Sequence, residues 1–170
     1  MNLEAVVRTF VAESRDLLES MERDLLAAES NAVDAETLNA IFRAAHTIKG
    51  GGGLFGFEYV VAFTHRMESV LDALRDGRIA FDAPLVALLL SSRDHIASLL
   101  DLVEAGATSQ TEDVEQIGAE LLEQLQAYLP PPAQPDEPAA PAPAAQAQLA
   151  AAPASPEDQR SPTAVEDAVG

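Results

Sequence analysis

Four side chains able to take part in proton or group transfer lie close together in this sequence. His46 and Lys49 are three residues apart in HTIKGGGG, and His65 and Glu68 are three apart in THRMES. A neutral imidazole is a nucleophile through one ring nitrogen, and a carboxylate that takes the proton of the other nitrogen fixes the tautomer and makes the ring more basic. Glu68, with His65 beside it, can supply that support. Lys49, one helical turn from His46, can steady charge on the oxygens of an arriving or departing phosphoryl group. The four residues gather if the chain folds back at LFGF into an antiparallel helical hairpin. A turn centred between Phe55 and Gly56 sets His46 opposite His65, with Glu68 one turn further on.

Other chemistries fit these residues less well. A phosphate-cradling loop follows a strand and carries its lysine after the last glycine. Here Lys49 precedes the glycines and the preceding segment is helical in pattern. A di-metal centre in a helical bundle needs Glu-x-x-His on two helices and two further glutamates. The chain offers only the reversed pair His65-x-x-Glu68, so no metal site is expected. Nothing resembles an acyl-transfer triad. His95 falls near the core border of a later helix and is read as structural or exposed.

The glycines themselves need a reason, since each costs about 1 kcal/mol relative to Ala inside a helix. If the helix continues, Gly50 and Gly53 share a face with His46 and Lys49, and bare backbone there would let another protein approach the imidazole. Ala45, Ile48, Gly52 and Phe55 then form the core stripe to one side. The expectation is that Gly50 to Gly52 are helical and that the turn spans Leu54 to Phe57.

The elements that would position this cluster are all helical. Residues 1–129 show repeated helical periodicity and no convincing strand. The first helix aligns Leu3, Val7, Phe10, Leu17, Met21 and Leu25. Asp34 is an N-cap for the second, which carries Leu38, Ile41, Ala45 and Ile48. A third, from about Glu58 to Arg75, turns Val60, Phe63, Met67, Val70 and Leu74 inward and stops at Gly77. The fourth follows Asp82, tolerates Pro84 in its first turn and ends at Gly106. It carries Leu85, Leu88, Leu89, Ile96, Leu99 and Val103. Ser109 and Glu112 have capping-box spacing ahead of a fifth, with Val114, Ile117, Leu121, Leu125 and Tyr128. Short connections favour antiparallel neighbours, so the fold class is all-α: an up-and-down antiparallel bundle of four helices plus a fifth.

Composition sets further bounds. Ten of the eleven prolines lie from Pro130 onward, in a stretch almost without large apolar residues. Residues 130–170 are therefore expected to be a disordered Pro/Ala-rich linker, and residues 1–129 the folded domain. The chain has no cysteine, which excludes disulfides and thiolate metal sites. Its net charge of −18 argues against binding nucleic acid or anionic lipid. The N-terminus, MNLEAVVRTF, does not read as a signal peptide, and no apolar run approaches the ~18–20 residues that span a bilayer. A cytoplasmic location without membrane insertion is expected.

FRAAHTIKGGGGLFGF followed by THRMESVLDALRDGRI resembles the N-terminal histidine-phosphotransfer (HPt) domains of the CheA family of chemotaxis histidine kinases. The resemblance covers about residues 1–129. It implies that His46 is the phosphorylated histidine, that Lys49 is the lysine beside it, and that His65 and Glu68 are the pair that holds its imidazole. It further implies that a separate kinase ATP-binding domain phosphorylates His46 from ATP, with Mg²⁺ held by the partner domains and no cofactor bound here. The phosphoryl group would then pass to an aspartate on response regulators resembling CheY and CheB. Association with membrane chemoreceptor arrays would come through a full-length protein. The 170 residues contain no ATP-binding, dimerisation or receptor-coupling domain, so they read as a fragment of a kinase or as a free-standing phosphorelay carrier. An acidic helical module that binds a protein partner without phosphotransfer is the alternative of a different class.

Overall fold

The computed structural model describes residues 2–30 and 33–130. They form five helices: α1 (Leu3–Ser30), α2 (Ala35–Phe55), α3 (Glu58–Arg75), α4 (Ala83–Glu104) and α5 (Glu112–Tyr128). No strand occurs among the described residues. Helices α1 to α4 pack in a ring, each against its neighbours in sequence order where these touch and α1 against α4, while α5 lies along α3 and α4. This is the expected all-α bundle of four helices plus a fifth. The linker assigned to residues 130–170 lies, beyond Pro130, outside the described residues.

The helix starts follow short-range chemistry. Asp34 Oδ1 accepts a hydrogen bond from the Thr37 amide at 2.7 Å, and Asp82 Oδ1 accepts one from the Leu85 amide at 2.9 Å. Each satisfies a donor that the first helical turn leaves unpaired. The capping box expected at Ser109 and Glu112 does not form. Thr111 occupies the cap position of α5 without a side-chain cap bond, so that helix begins on its acidic first turn alone.

The core is built from the periodic apolar residues. Every inward residue expected on α3 and α4 is buried, from Val60 to Leu74 and from Leu85 to Val103. On α1 the stripe is rotated from the expected one. Val11, Ser14 and Leu18 are buried alongside Phe10, Met21 and Leu25, whereas Leu3 is exposed in the first turn. Ile117 on α5 is also exposed, because a fifth helix lying outside a closed ring buries only a narrow strip, here Gly118, Leu121 and Leu125.

Helix α2 runs unbroken through all four glycines and through Leu54 to Phe55, so the turn is shorter than expected. Gly56, at φ 75°, ends it in the left-handed conformation that a side chain would resist. The Phe57 amide bonds Gly52 O at 2.9 Å and the Gly56 amide bonds Gly53 O at 3.3 Å, which satisfies the last carbonyls. Packing explains why the glycine run stays helical. A Cβ on Gly51 would lie 2.3 Å from the Phe10 ring, and one on Gly52 would lie 3.2 Å from Val60 Cγ1. These two glycines let α1 and α3 approach the α2 backbone closely, and that contact offsets the weak intrinsic propensity.

Candidate functional site

The α2–α3 hairpin brings three of the four expected side chains together. His46 Nδ1 lies 3.0 Å from Glu68 Oε1, and Lys49 Nζ lies 2.7 Å from Glu68 Oε2. An ionised carboxylate has only acceptors, so Nδ1 must carry the proton and donate it. In the neutral ring this leaves the lone pair on Nε2. The His46 side chain is 61% exposed and Glu68 is only 14% exposed. The free lone pair thus belongs to a ring open to solvent, while the carboxylate that holds the ring is largely buried between the helices.

Glu68 is held in its charged form. Burial alone pushes its pKa up, but the close Lys49 ammonium and the hydrogen bond from His46 bring it below the usual value. Its Oε2 is shut off from solvent and finds no well-directed hydrogen bond, so Lys49 meets it chiefly as an ion pair. No cluster of three or more metal-ligating side chains occurs among the described residues.

His65 does not join the clamp. Its residue is exposed, and its side chain makes no hydrogen bond or ion pair among the described residues. The cause is register. The hairpin turns at Gly56 and Phe57, about one residue later than the symmetric reading, which moves the position level with His46 from His65 to about Met67 and brings the adjacent Glu68 within reach. Gly50 and Gly53 lie exposed on α2 as expected. A Cβ on Gly50 would meet nothing within 4 Å, and one on Gly53 would meet only Val61 Cγ2 at 3.9 Å. The glycine run therefore divides: Gly51 and Gly52 serve packing, and Gly50 and Gly53 leave the face beside His46 low.

Phe42 beside His46, and Arg75 on the Phe42 ring, are missing from the expected site. The Phe42 ring stacks on the imidazole with centroids 6.0 Å apart and planes 15° from parallel. The Arg75 guanidinium, at the end of α3, lies 4.2 Å from the centre of the same Phe42 ring. The signal was present as spacing, since an aromatic four residues before a histidine shares its helix face. His95, in contrast, is 4% exposed, packed at 4.4 Å against the Phe63 ring, and burial lowers its pKa. It is structural, not merely exposed.

The Hpt domain family matches residues 5–106. The chemotaxis protein CheA of Cereibacter sphaeroides is 41% identical over 115 residues, which cover 66% of this chain and 17% of that protein. The chain thus spans about a sixth of the length of the curated relatives it matches. Among solved structures, the CheA phosphotransferase domain from Thermotoga maritima superposes with a TM-score of 0.57 at 30% identity, over 61% of this chain and 98% of that one. The phosphorylated P1 domain of CheA3, solved in complex with CheY6 from R. sphaeroides, superposes with a TM-score of 0.67. It covers 75% of this chain and 100% of that one, and at 23% identity it supports the fold.

Proposed function

The chain belongs to the Hpt domain family, and from that premise we propose that it is the phosphoacceptor segment of a chemotaxis histidine kinase, with His46 as the residue that carries the phosphoryl group. The observation that supports this most is the Nδ1–Glu68 hydrogen bond on a solvent-facing imidazole. ATP and Mg²⁺ belong, in this reading, to a separate kinase domain. The Nε2 lone pair attacks the γ-phosphorus, the bond to the β,γ-bridging oxygen breaks, and ADP leaves with that electron pair. The ring becomes positively charged as the N–P bond forms, and Glu68 stabilises that charge through Nδ1–H without taking the proton outright. In the second transfer an aspartate oxygen of a CheY- or CheB-like response regulator attacks phosphorus. The N–P bond breaks and its electrons return to Nε2, regenerating neutral His46.

Lys49 acts first as the counterion that keeps Glu68 ionised and pointed at His46. Its side chain, about one fifth exposed, starts one helical turn from His46 and can meet phosphoryl oxygens if it leaves Glu68. His65 has no contact with His46 and takes at most an outer role, at the surface a partner would cover. The low backbone at Gly50 and Gly53 suits the approach of two different partner domains in turn.

Incubation with a CheA-type kinase domain, ATP and Mg²⁺ should place an acid-labile, base-stable phosphate on the chain. Equal labelling of His46→Gln would overturn the assignment.

A further inference from the structure

One hydrogen bond does not fix an exposed imidazole. The Glu68 contact restrains Nδ1, yet the ring can still swing about that bond, and with it the direction of Nε2. The stack on Phe42, with planes 15° apart, restrains the remaining freedom. Phe42 is itself held: it is partly buried against the core, and Arg75 places its guanidinium 4.2 Å over the ring from the end of α3. Arg75 is only loosely engaged elsewhere, with Asp72 at 3.8 Å. The aromatic ring therefore bridges the two helices of the hairpin on one side of His46, as Glu68 and Lys49 do on the other.

We propose that Phe42, backed by Arg75, is a positioning residue for phosphotransfer: it holds the plane of the His46 imidazole so that Nε2 faces the incoming phosphorus. This rests on the phosphoacceptor reading of His46. Aromatic stacks and exposed cation–π contacts are modest interactions, so loss of the hold should slow transfer by about fivefold to tenfold rather than abolish it. Arg75 acts one step further away, and its loss should cost about twofold. The aromatic face is what matters, so Tyr should replace Phe42, and Lys should largely replace Arg75.

The test uses the full chain and two readouts. Phosphoramidate is the first probe: Nε2 attacks phosphorus, the P–N bond of the donor breaks and ammonia leaves, with no partner domain to dock. Phe42→Leu should label about fivefold to tenfold more slowly than wild type, Arg75→Gln about twofold more slowly, and Phe42→Tyr at nearly the wild-type rate. The second readout is the ¹H–¹⁵N NMR signal of the His46 Nδ1–H in the unphosphorylated protein. It should be slow to exchange in wild type and Phe42→Tyr and fast in Phe42→Leu. A wild-type signal in Phe42→Leu overturns the proposal, as does equal loss in Phe42→Leu and Phe42→Tyr. This readout reports the hold on the ring even if no phosphoryl group transfers, so failure of the phosphoacceptor reading is seen separately, as unlabelled wild type with the ring restrained.

Discussion

His46 and His95 are the same side chain in two settings, one in the α2–α3 hairpin and one in the seam between α4 and α5. His46 faces solvent, with a carboxylate on Nδ1 and a low glycine-lined face beside it. His95 is enclosed between Phe63 and the backbone of α5, where a Cβ on Gly118 would lie 2.7 Å from its Nε2. Burial lowers the His95 pKa and no acid compensates. A histidine becomes a nucleophile when one nitrogen is anchored and the other is reachable. His95 meets neither condition and works as a filler of the right shape.

The largest effect that could break this contrast is on labelling. His46→Gln should reduce phosphorylation to background, while His95→Gln should keep it and lower only the melting temperature. Measuring both traits on both variants checks the separation. Next in size, Glu68→Gln should slow phosphorylation by about tenfold to a hundredfold, the worth of a hydrogen bond to a charged group. An unchanged rate in a quenched-flow or manual time course would remove Glu68 from the site.

The glycines of the two regions should respond in opposite directions. Gly118→Ala forces a methyl group into the His95 ring and should destabilise the fold by about 1–3 kcal/mol in denaturant unfolding. Gly50→Ala points into open space inside a helix and should stabilise it by about 1 kcal/mol, with a cost, if any, only in transfer from a protein partner. The smallest effect is on pH. The folded state keeps His95 neutral at pH values where the unfolded chain protonates it, so the unfolded state binds more protons and stability falls as pH drops through about 6.5. Glu68 acts with the same sign in a more acidic window. Its folded pKa is lowered, so its contribution is full above the unfolded value and fades only as pH falls below it. Unfolding midpoints at pH 7 and pH 5.5 should therefore differ more in wild type than in His95→Gln.

The bundle was legible because its helices carry local signals. Asp34, Asp82, Gly77 and Gly106 each act within a few residues of their own position, and the buried faces of α3 and α4 follow periodicity alone. What periodicity could not decide was phase and register. On α1 Leu3, expected in the buried stripe, is exposed, while Ser14 is buried. A shift of one residue at the Gly56–Phe57 turn moves the position level with His46 from His65 to about Met67, beside Glu68, and Glu68 is the residue that meets the ring. Gly51 and Phe10 are far apart in the chain, so nothing local announced that this glycine is a seat for an aromatic ring. Phe42 and Arg75 were hidden for a different reason: neither looks chemical on its own, and their role emerges only when α2 and α3 are side by side.

The central claim is that Glu68 holds Nδ1 and leaves Nε2 to react. The most direct measurement is a two-dimensional ¹H–¹⁵N spectrum of the His46 ring in the phosphorylated, ¹⁵N-labelled chain. The account expects phosphorus on Nε2, seen by its coupling to that nitrogen, with the proton retained on Nδ1. Phosphorus on Nδ1, or on His65 or His95, would contradict it.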